Sequence, residues 1–205
     1  MLLEILAITD DQYHVKELAS KIMQIQNYVD YIHIREKSKT ARELLTLLEL
    51  LQESGVPKRK IVVHDRLDVA LVTGIENIHL PGHGLTINRV REKFPFMRIG
   101  CSVHSYEEAR KSEQDGVDYV MYGHVFETNC KAGLAPRGLE ELHKIKERLS
   151  IPVFAIGGIT PDRMNEIKVD GIAVMSGIFS AENPAEAARD YSEKCKEMTT
   201  HGKIL

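Results

Sequence analysis

The stretch that decides the fold is Asp118-Tyr119-Val120-Met121-Tyr122-Gly123-His124-Val125-Phe126-Glu127-Thr128-Asn129-Cys130-Lys131. Asp118 to Tyr122 is dominated by apolar, β-forming side chains and Gly123 ends the run, which predicts a short buried strand. An imidazole, His124, follows at once, with Thr128 and Lys131 close behind. In a parallel α/β protein, the segment just beyond the carboxyl end of a buried strand is where chemistry is placed. If that is the arrangement here, strands and helices should alternate on both sides.

They do. Leu2 to Thr9 is an apolar run interrupted only by Glu4 and stopped by Asp10 and Asp11, as expected of a strand covered on both faces. Val15, Leu18, Ala19, Ile22 and Ile25 recur at helical spacing over Val15 to Gln26, and a second strand follows over Tyr28 to Arg35. The alternation continues with helix Thr40 to Glu53, strand Lys60 to His64, helix Leu67 to Val72, strand Glu76 to Leu80, helix Thr86 to Phe94, strand Met97 to Val103 and helix Tyr106 to Gln114. After the quoted stretch come helix Leu139 to Leu149, strand Pro152 to Ile156, a brief helix Pro161 to Lys168, strand Gly171 to Met175 and a closing helix Pro184 to Met198. Eight strands alternating with eight helices predict an α/β fold, a single (β/α)8 TIM barrel, with residues 1–205 as one domain. Merging two short elements would leave an open, flavodoxin-like sheet instead.

With 43% hydrophobic and 28% charged residues, the chain has the composition of a globular protein able to build a core. A formal charge of -3 and a pI near 6.3 give no general attraction to nucleic acid or to an anionic membrane, so neither is an expected partner. Cys101, Cys130 and Cys195 lack CxxC spacing and read as reduced thiols of a cytoplasmic protein. The N-terminus reaches Asp10 and Asp11 too soon for a signal peptide or a spanning helix. Pairing of two copies into a homodimer is compatible with this composition, but no sequence feature locates the interface.

Within the second strand, period-two alternation puts Ile32 and Ile34 on one face and His33 and Arg35 on the other. In a barrel the polar pair points inward near the mouth, with Lys37 just beyond; a strand end bending into solvent reads the same way. Gly157-Gly158 after the seventh strand and Ser176-Gly177 after the eighth stand where such barrels often bind phosphate, because glycine lets an anion approach backbone N–H groups. Two ordinary turns would look alike. Thr128 and Lys131 lie next to that pocket in barrel order and would complete it, unless Lys131 is a solvated surface lysine. His124 is the candidate acid/base, since imidazole both takes and returns a proton near neutral pH; a hydrogen-bonded structural histidine is the alternative. Nine histidines invite a metal reading, but there is no HExxH-like spacing and no accompanying carboxylate set, so no metal site is expected.

Taken together, Ile32-His33-Ile34-Arg35-Glu36-Lys37, His64-Asp65-Arg66, Gly123 to Lys131 and Ala155-Ile156-Gly157-Gly158-Ile159 resemble the thiamine phosphate synthase superfamily over nearly the full chain. Within it, Gly123-His124-Val125-Phe126-Glu127-Thr128 is similar to the thiazole tautomerase branch. The synthase branch usually reads Gln-Leu-Arg-x-Lys where this chain has His33 to Lys37, and Asn-Asp-Arg where it has His64-Asp65-Arg66. Its His-Leu-Gly-Gln-x-Asp becomes His79-Leu80-Pro81-Gly82-His83-Gly84, which leaves Asp65 as the one carboxylate of the Mg2+ site, and its proline after Gly123 is His124. Synthase-like chains also carry a longer Ala-Gly-Ala-Asp-Gly segment before the eighth strand, where this one has Lys168-Val169-Asp170-Gly171.

The resemblance implies an isomerase that converts the exocyclic-alkene tautomer of a thiazole phosphate carboxylate to the aromatic thiazole, with no cofactor and no metal. It gives His124 the proton transfer and places Gly158, Met175 and Ser176 on the phosphate, with Thr128, Asn129 and Cys130 lining the ligand. Arg35, Lys37 and Lys131 match diphosphate contacts of the synthase and are assigned here to the substrate carboxylate. The alternatives are a transferase, thiamine phosphate synthase, and a non-catalytic regulator that binds a phosphorylated metabolite.

Overall fold

A computed structural model describes residues 3–201, the side chains of Thr200 and His201 excepted, so Leu2 at the start of the expected first strand lies outside the described residues. The eight strands β1 (Glu4–Ile8), β2 (Tyr31–Ile34), β3 (Ile61–His64), β4 (Asn77–Leu80), β5 (Arg98–Val103), β6 (Tyr119–Gly123), β7 (Val153–Ile156) and β8 (Gly171–Val174) are all parallel and hydrogen-bonded in sequence order. Pairing of Glu4 with Gly171 through Ala7 with Val174 joins β1 to β8 and closes the barrel. The expected (β/α)8 architecture is therefore the observed one.

Helices α1 (Val15–Ile25), α2 (Ala41–Glu53), α3 (Leu67–Thr73), α4 (Ile87–Lys93), α5 (Tyr106–Gln114), α6 (Leu139–Arg148), α7 (Ser176–Phe179) and α8 (Pro184–His201) form the outer layer. Their apolar stripes, such as Leu18, Ala19, Ile22 and Ile25 on α1 and Leu44, Leu47, Leu48 and Leu51 on α2, cover the outward faces of the strands. Thr40 starts α2 with a capping box: its hydroxyl accepts from the Glu43 N–H, and the Glu43 carboxylate accepts from the Thr40 N–H. No helix among the described residues is long and apolar enough to cross a membrane.

The unit after β7 departs from the sequence reading. Instead of an α-helix over Pro161 to Lys168 there is a 3-10 segment, Pro161–Glu166. The chain must return early to the base of the barrel, where the Asp170 carboxylate accepts from the Val153 N–H at 2.7 Å and pairs with Lys146, also at 2.7 Å. Too few residues then remain for a full helix.

Inside the barrel, large rings sit opposite missing side chains. Tyr119 is fully buried, and a Cβ on Gly100 would lie 1.9 Å from its Cζ, so the ring occupies the space that any side chain at 100 would need. Phe154 meets Tyr119 edge-on at 5.3 Å between centroids and fills the space beside Gly171. At the amino-end floor, Arg98 lies between Tyr31 and Tyr119, 4.4 and 4.5 Å from their centroids. Gly100→Ala is expected to lose about 1–3 kcal/mol of stability by overpacking, seen as a lower urea midpoint. An unchanged midpoint would mean that Tyr119 does not fill that space in solution.

Candidate active site

Two groups of side chains stand at the carboxyl-end mouth. The first is built by the segments after β6, β7 and β8. Gly158 has φ +66°, and a Cβ there would lie 2.3 Å from the Glu127 carbonyl oxygen, so the β7 turn can press against the β6 loop only as glycine. The contact is fixed by the Val125 N–H donating to the Ile156 carbonyl at 2.9 Å and the Phe126 N–H to the Gly157 carbonyl at 3.0 Å. The Thr128 hydroxyl accepts from the Cys130 N–H at 3.4 Å and caps a 3-10 turn, Asn129–Lys131. That turn carries Cys130 Sγ to 3.8 Å from Ser176 Oγ, at the start of α7. Met175, half-buried, packs on the interior cluster at the end of β8. Thr128, Cys130, Gly158, Met175 and Ser176 thus share one neighbourhood, with Asn129 and Lys131 exposed on the same turn.

His124 is nearly buried beneath this loop, at 9% exposure. Its Nε2 lies 3.3 Å from the Leu134 carbonyl, and its own carbonyl accepts from the Arg137 N–H at 2.8 Å. Donation to Leu134 puts the proton on Nε2 and leaves Nδ1 as the basic nitrogen. His124 is therefore tied to residues 134 and 137 over the end of β6.

The second group rises from β2, β3 and β4. Ile32 and Ile34 face the helices, as the alternation predicts, and His33 faces the interior, in ring contact with His79 and Tyr119. Arg35, half-buried, is held by its N–H donating to Thr9 Oγ1 at 2.9 Å, and Lys37 beyond it is exposed. Both lie near enough to His64 for their charge to disfavour its protonation. Asp65 follows β3 at φ 53°, a left-handed conformation that aspartate tolerates.

The sequence reading did not foresee that His33, His64 and His79 meet inside the barrel. His33 Nδ1 is 2.8 Å from His64 Nε2, the His64 and His79 rings stack at 4.5 Å, and His79 bonds Ser102 Oγ at 2.8 Å and the Tyr119 hydroxyl at 3.2 Å. Burial first, then neighbouring positive charge, holds His33 well below the usual imidazole range. His64 is lowered in the same way, although it remains half-buried at the mouth, and burial takes His79 to about 3. His33 Nε2 is buried without a hydrogen-bond partner, an arrangement that costs about 1–3 kcal/mol. The signal was present: the parity that turns His33 inward also applies to His64 and His79.

A Mg2+ of the kind the synthase resemblance implies does not fit the residues present. A hard dication takes several charged oxygen ligands. Asp65 supplies one carboxylate, but a Cβ at Gly84 would lie 2.7 Å from Asp65 Oδ1, so the position facing that carboxylate has no side chain to contribute.

By class, then, the molecule is a (β/α)8 barrel whose mouth gathers basic and hydroxyl side chains from several different strands, the usual location of an active site in this fold. Over residues 5–178 its sequence matches the family described as thiamine monophosphate synthase, and the chain belongs to that family. It is 35% identical over 203 residues to the thiamine-phosphate synthase of Pyrococcus furiosus, which covers 96% of both chains. It is 32% identical to that of Caldivirga maquilingensis, over 91% of this chain and 94% of the other. The solved thiamine phosphate pyrophosphorylase of Pyrococcus furiosus superposes with a TM-score of 0.80 at 34% identity, covering 95% and 96% of the two chains.

These relatives are named for a transferase reaction, and that overturns the expectation of an isomerase. The expectation rested on the Gly123 to Thr128 segment and on the departures from the synthase pattern at His33, His64, Gly84 and His124.

The buried histidines make stability depend on pH. Unfolded, each ring titrates near 6.5; folded, all three titrate lower, and His79 at about 3. Between those values the unfolded chain binds more protons, so the contribution is complete above 6.5 and is lost as pH falls. In chelator-treated protein the urea midpoint is expected to be flat above about pH 7 and to drop by about pH 5, at about 1.4 kcal/mol per pH unit for each fully buried ring. A midpoint that stays constant over that interval would show that the rings are not held neutral.

Proposed function

We propose that the protein is a transferase of thiamine biosynthesis, which couples a thiazole phosphate to a pyrimidine diphosphate to give thiamine phosphate. In this reaction a C–N bond forms between the thiazole nitrogen and the pyrimidine methylene carbon, as the C–O bond to diphosphate breaks and its electron pair leaves with the diphosphate. Two anions must be held in one mouth. The observation that carries the reading is the pair of groups described above: Gly158 and Ser176 beside the β6 loop on one side, Arg35 and Lys37 above β2 on the other. Ser176 and the glycine turn suit the phosphate of the thiazole. Arg35 and Lys37 suit the diphosphate, where fixed positive charge would favour the leaving group as its negative charge grows. Lys131, exposed on the β6 loop, is assigned to the same diphosphate. The names of the relatives support the same reaction.

A second reading, a binder of phosphorylated thiamine precursors without turnover, is favoured by one observation: Gly84 faces Asp65 where a second carboxylate would complete a cation site.

Incubation of the protein with thiazole phosphate and pyrimidine diphosphate, the latter supplied as its Mg2+ complex so that the ion arrives on the substrate, is expected to yield thiamine phosphate, detected by chromatography. Arg35→Ala should lower kcat/KM by about 10–100-fold, the scale of one lost hydrogen bond to a charged group. Calorimetric binding of both substrates with no product would establish the second reading. Absence of both binding and product would sink the two together.

A further inference from the structure

The geometry points to a transition-metal site inside the barrel, formed by His33, His64 and His79 and suited to a divalent ion that prefers nitrogen ligands, such as Zn2+. The three residues come from β2, β3 and β4, which are neighbours in the sheet, and each offers a ring nitrogen within 4.8 Å of the other two. Tetrahedral Zn2+ with Zn–N bonds of about 2.0–2.1 Å needs nitrogens about 3.3 Å apart. One pair, His33 Nδ1 and His64 Nε2, is 2.8 Å apart, and one ring nitrogen from each of the three residues lies within 4.8 Å of the others. The ligands sit on paired strands rather than on loops, His64 directly opposite His79 in the ladder.

An orphaned atom points the same way. Only one proton can lie between His33 Nδ1 and His64 Nε2. Whichever ring carries it, His33 Nε2 has no partner, either as a bare lone pair or as a buried N–H. A metal at Nε2 gives the orphaned atom its partner, whereas a metal at Nδ1 replaces the shared proton and leaves Nε2 as an N–H. For His79 the supporting partners are in place. If it binds through Nδ1, Nε2–H donates to Ser102 Oγ; if it binds through Nε2, Nδ1–H donates to the Tyr119 hydroxyl. Entry is by way of His64, which is half-buried at the mouth. Three protein ligands leave a fourth position for water or an anion.

The local charge selects the kind of ion. Arg35, Lys37 and Arg98 act on these rings with positive potential. An ion held mainly by electrostatics, such as Mg2+, is therefore disfavoured, whereas coordinate bonds to neutral imidazole suit Zn2+, Ni2+ or Co2+. The site is independent of the transferase reading, because it uses none of the residues assigned to the phosphates.

The test is titration of chelator-treated full-length protein with Zn2+ by calorimetry and with Co2+ by visible absorption, Mg2+ serving as the hard-ion control. One Zn2+ per chain, intense tetrahedral Co2+ bands and no Mg2+ binding are expected. His79→Gln and His33→Asn should each weaken Zn2+ binding by about 100-fold or more, and Tyr119→Phe by no more than about 10-fold. His14→Ala with His143→Ala should leave it unchanged. If the histidine variants do not fold, the 15N shifts of the ring nitrogens in the wild-type protein decide: Zn2+ must move signals from His33, His64 and His79. Binding that survives loss of His33 or His79, a Co2+ spectrum of six-coordinate type, or ring signals that do not move would each overturn the assignment.

Discussion

The constraint on which everything else depends is that an eight-stranded barrel has an interior only wide enough for its own side chains, so whatever points inward must fill the space. On β1, β6, β7 and β8 the filling is apolar: Leu6, Ile8, Met121, Phe154 and Ala173 form a cluster of their own, separate from the larger core under the helices. Between β2 and β5 it is polar, with His33, His64, His79, Ser102 and Arg98. Tyr119 stands at the boundary, packed on Phe154 and hydrogen-bonded to His79. One half of the barrel is thus held by close packing and the other by a network in which each ring fixes the next. Burial costs are low only while that network is neutral, and it is neutral because it is buried.

The architecture could be read from the chain because two periods alternate cleanly. Runs such as Val153 to Ile156 are short and apolar on both faces, as strands covered by helices outside and side chains inside must be, while α1 and α2 repeat apolar residues at helical spacing. The reading faltered where tertiary contacts override local pattern. Asp118 looked like part of β6, but its carboxylate is drawn off to Arg91 and the Ile99 N–H, so the strand begins at Tyr119. The segment from Pro161 looked helical, but the anchoring of Asp170 at the barrel base leaves it as a 3-10 turn.

The site was legible in part. Inward parity on β2 was readable from four residues, and it correctly separated His33 from Ile32 and Ile34. The neighbourhood of Gly158 and Ser176 was also readable, because barrel order makes the ends of β7 and β8 adjacent. The mutual approach of three histidines was not, because metal motifs are read as short local spacings, whereas this group is assembled across three strands and depends on register. The surroundings of His124 were not legible for a different reason. An imidazole after a barrel strand looks catalytic in sequence, but whether it is free or spent on a carbonyl is decided by a loop residue, Leu134, whose position no local pattern gives.

The departures from the synthase pattern form a single change when placed in the structure. His33 and His64 stand where the synthase branch carries glutamine and asparagine, and Gly84 stands where it carries aspartate, so the same side of the mouth loses oxygen donors and gains nitrogen donors. Asp65 is left facing a bare backbone at Gly84, while a few residues away three neutral rings contact one another. Oxygen ligands bind hard cations through charge, and imidazoles bind borderline ions through lone pairs. A mouth altered in this way keeps Arg35 and Lys37 above β2 but offers a hard cation only the Asp65 carboxylate on that side. His79 is common to both patterns and has partners of its own in Ser102 and Tyr119; His33 and His64 are added beside it, within 2.8 Å of each other, and His33 Nε2 is left without a partner.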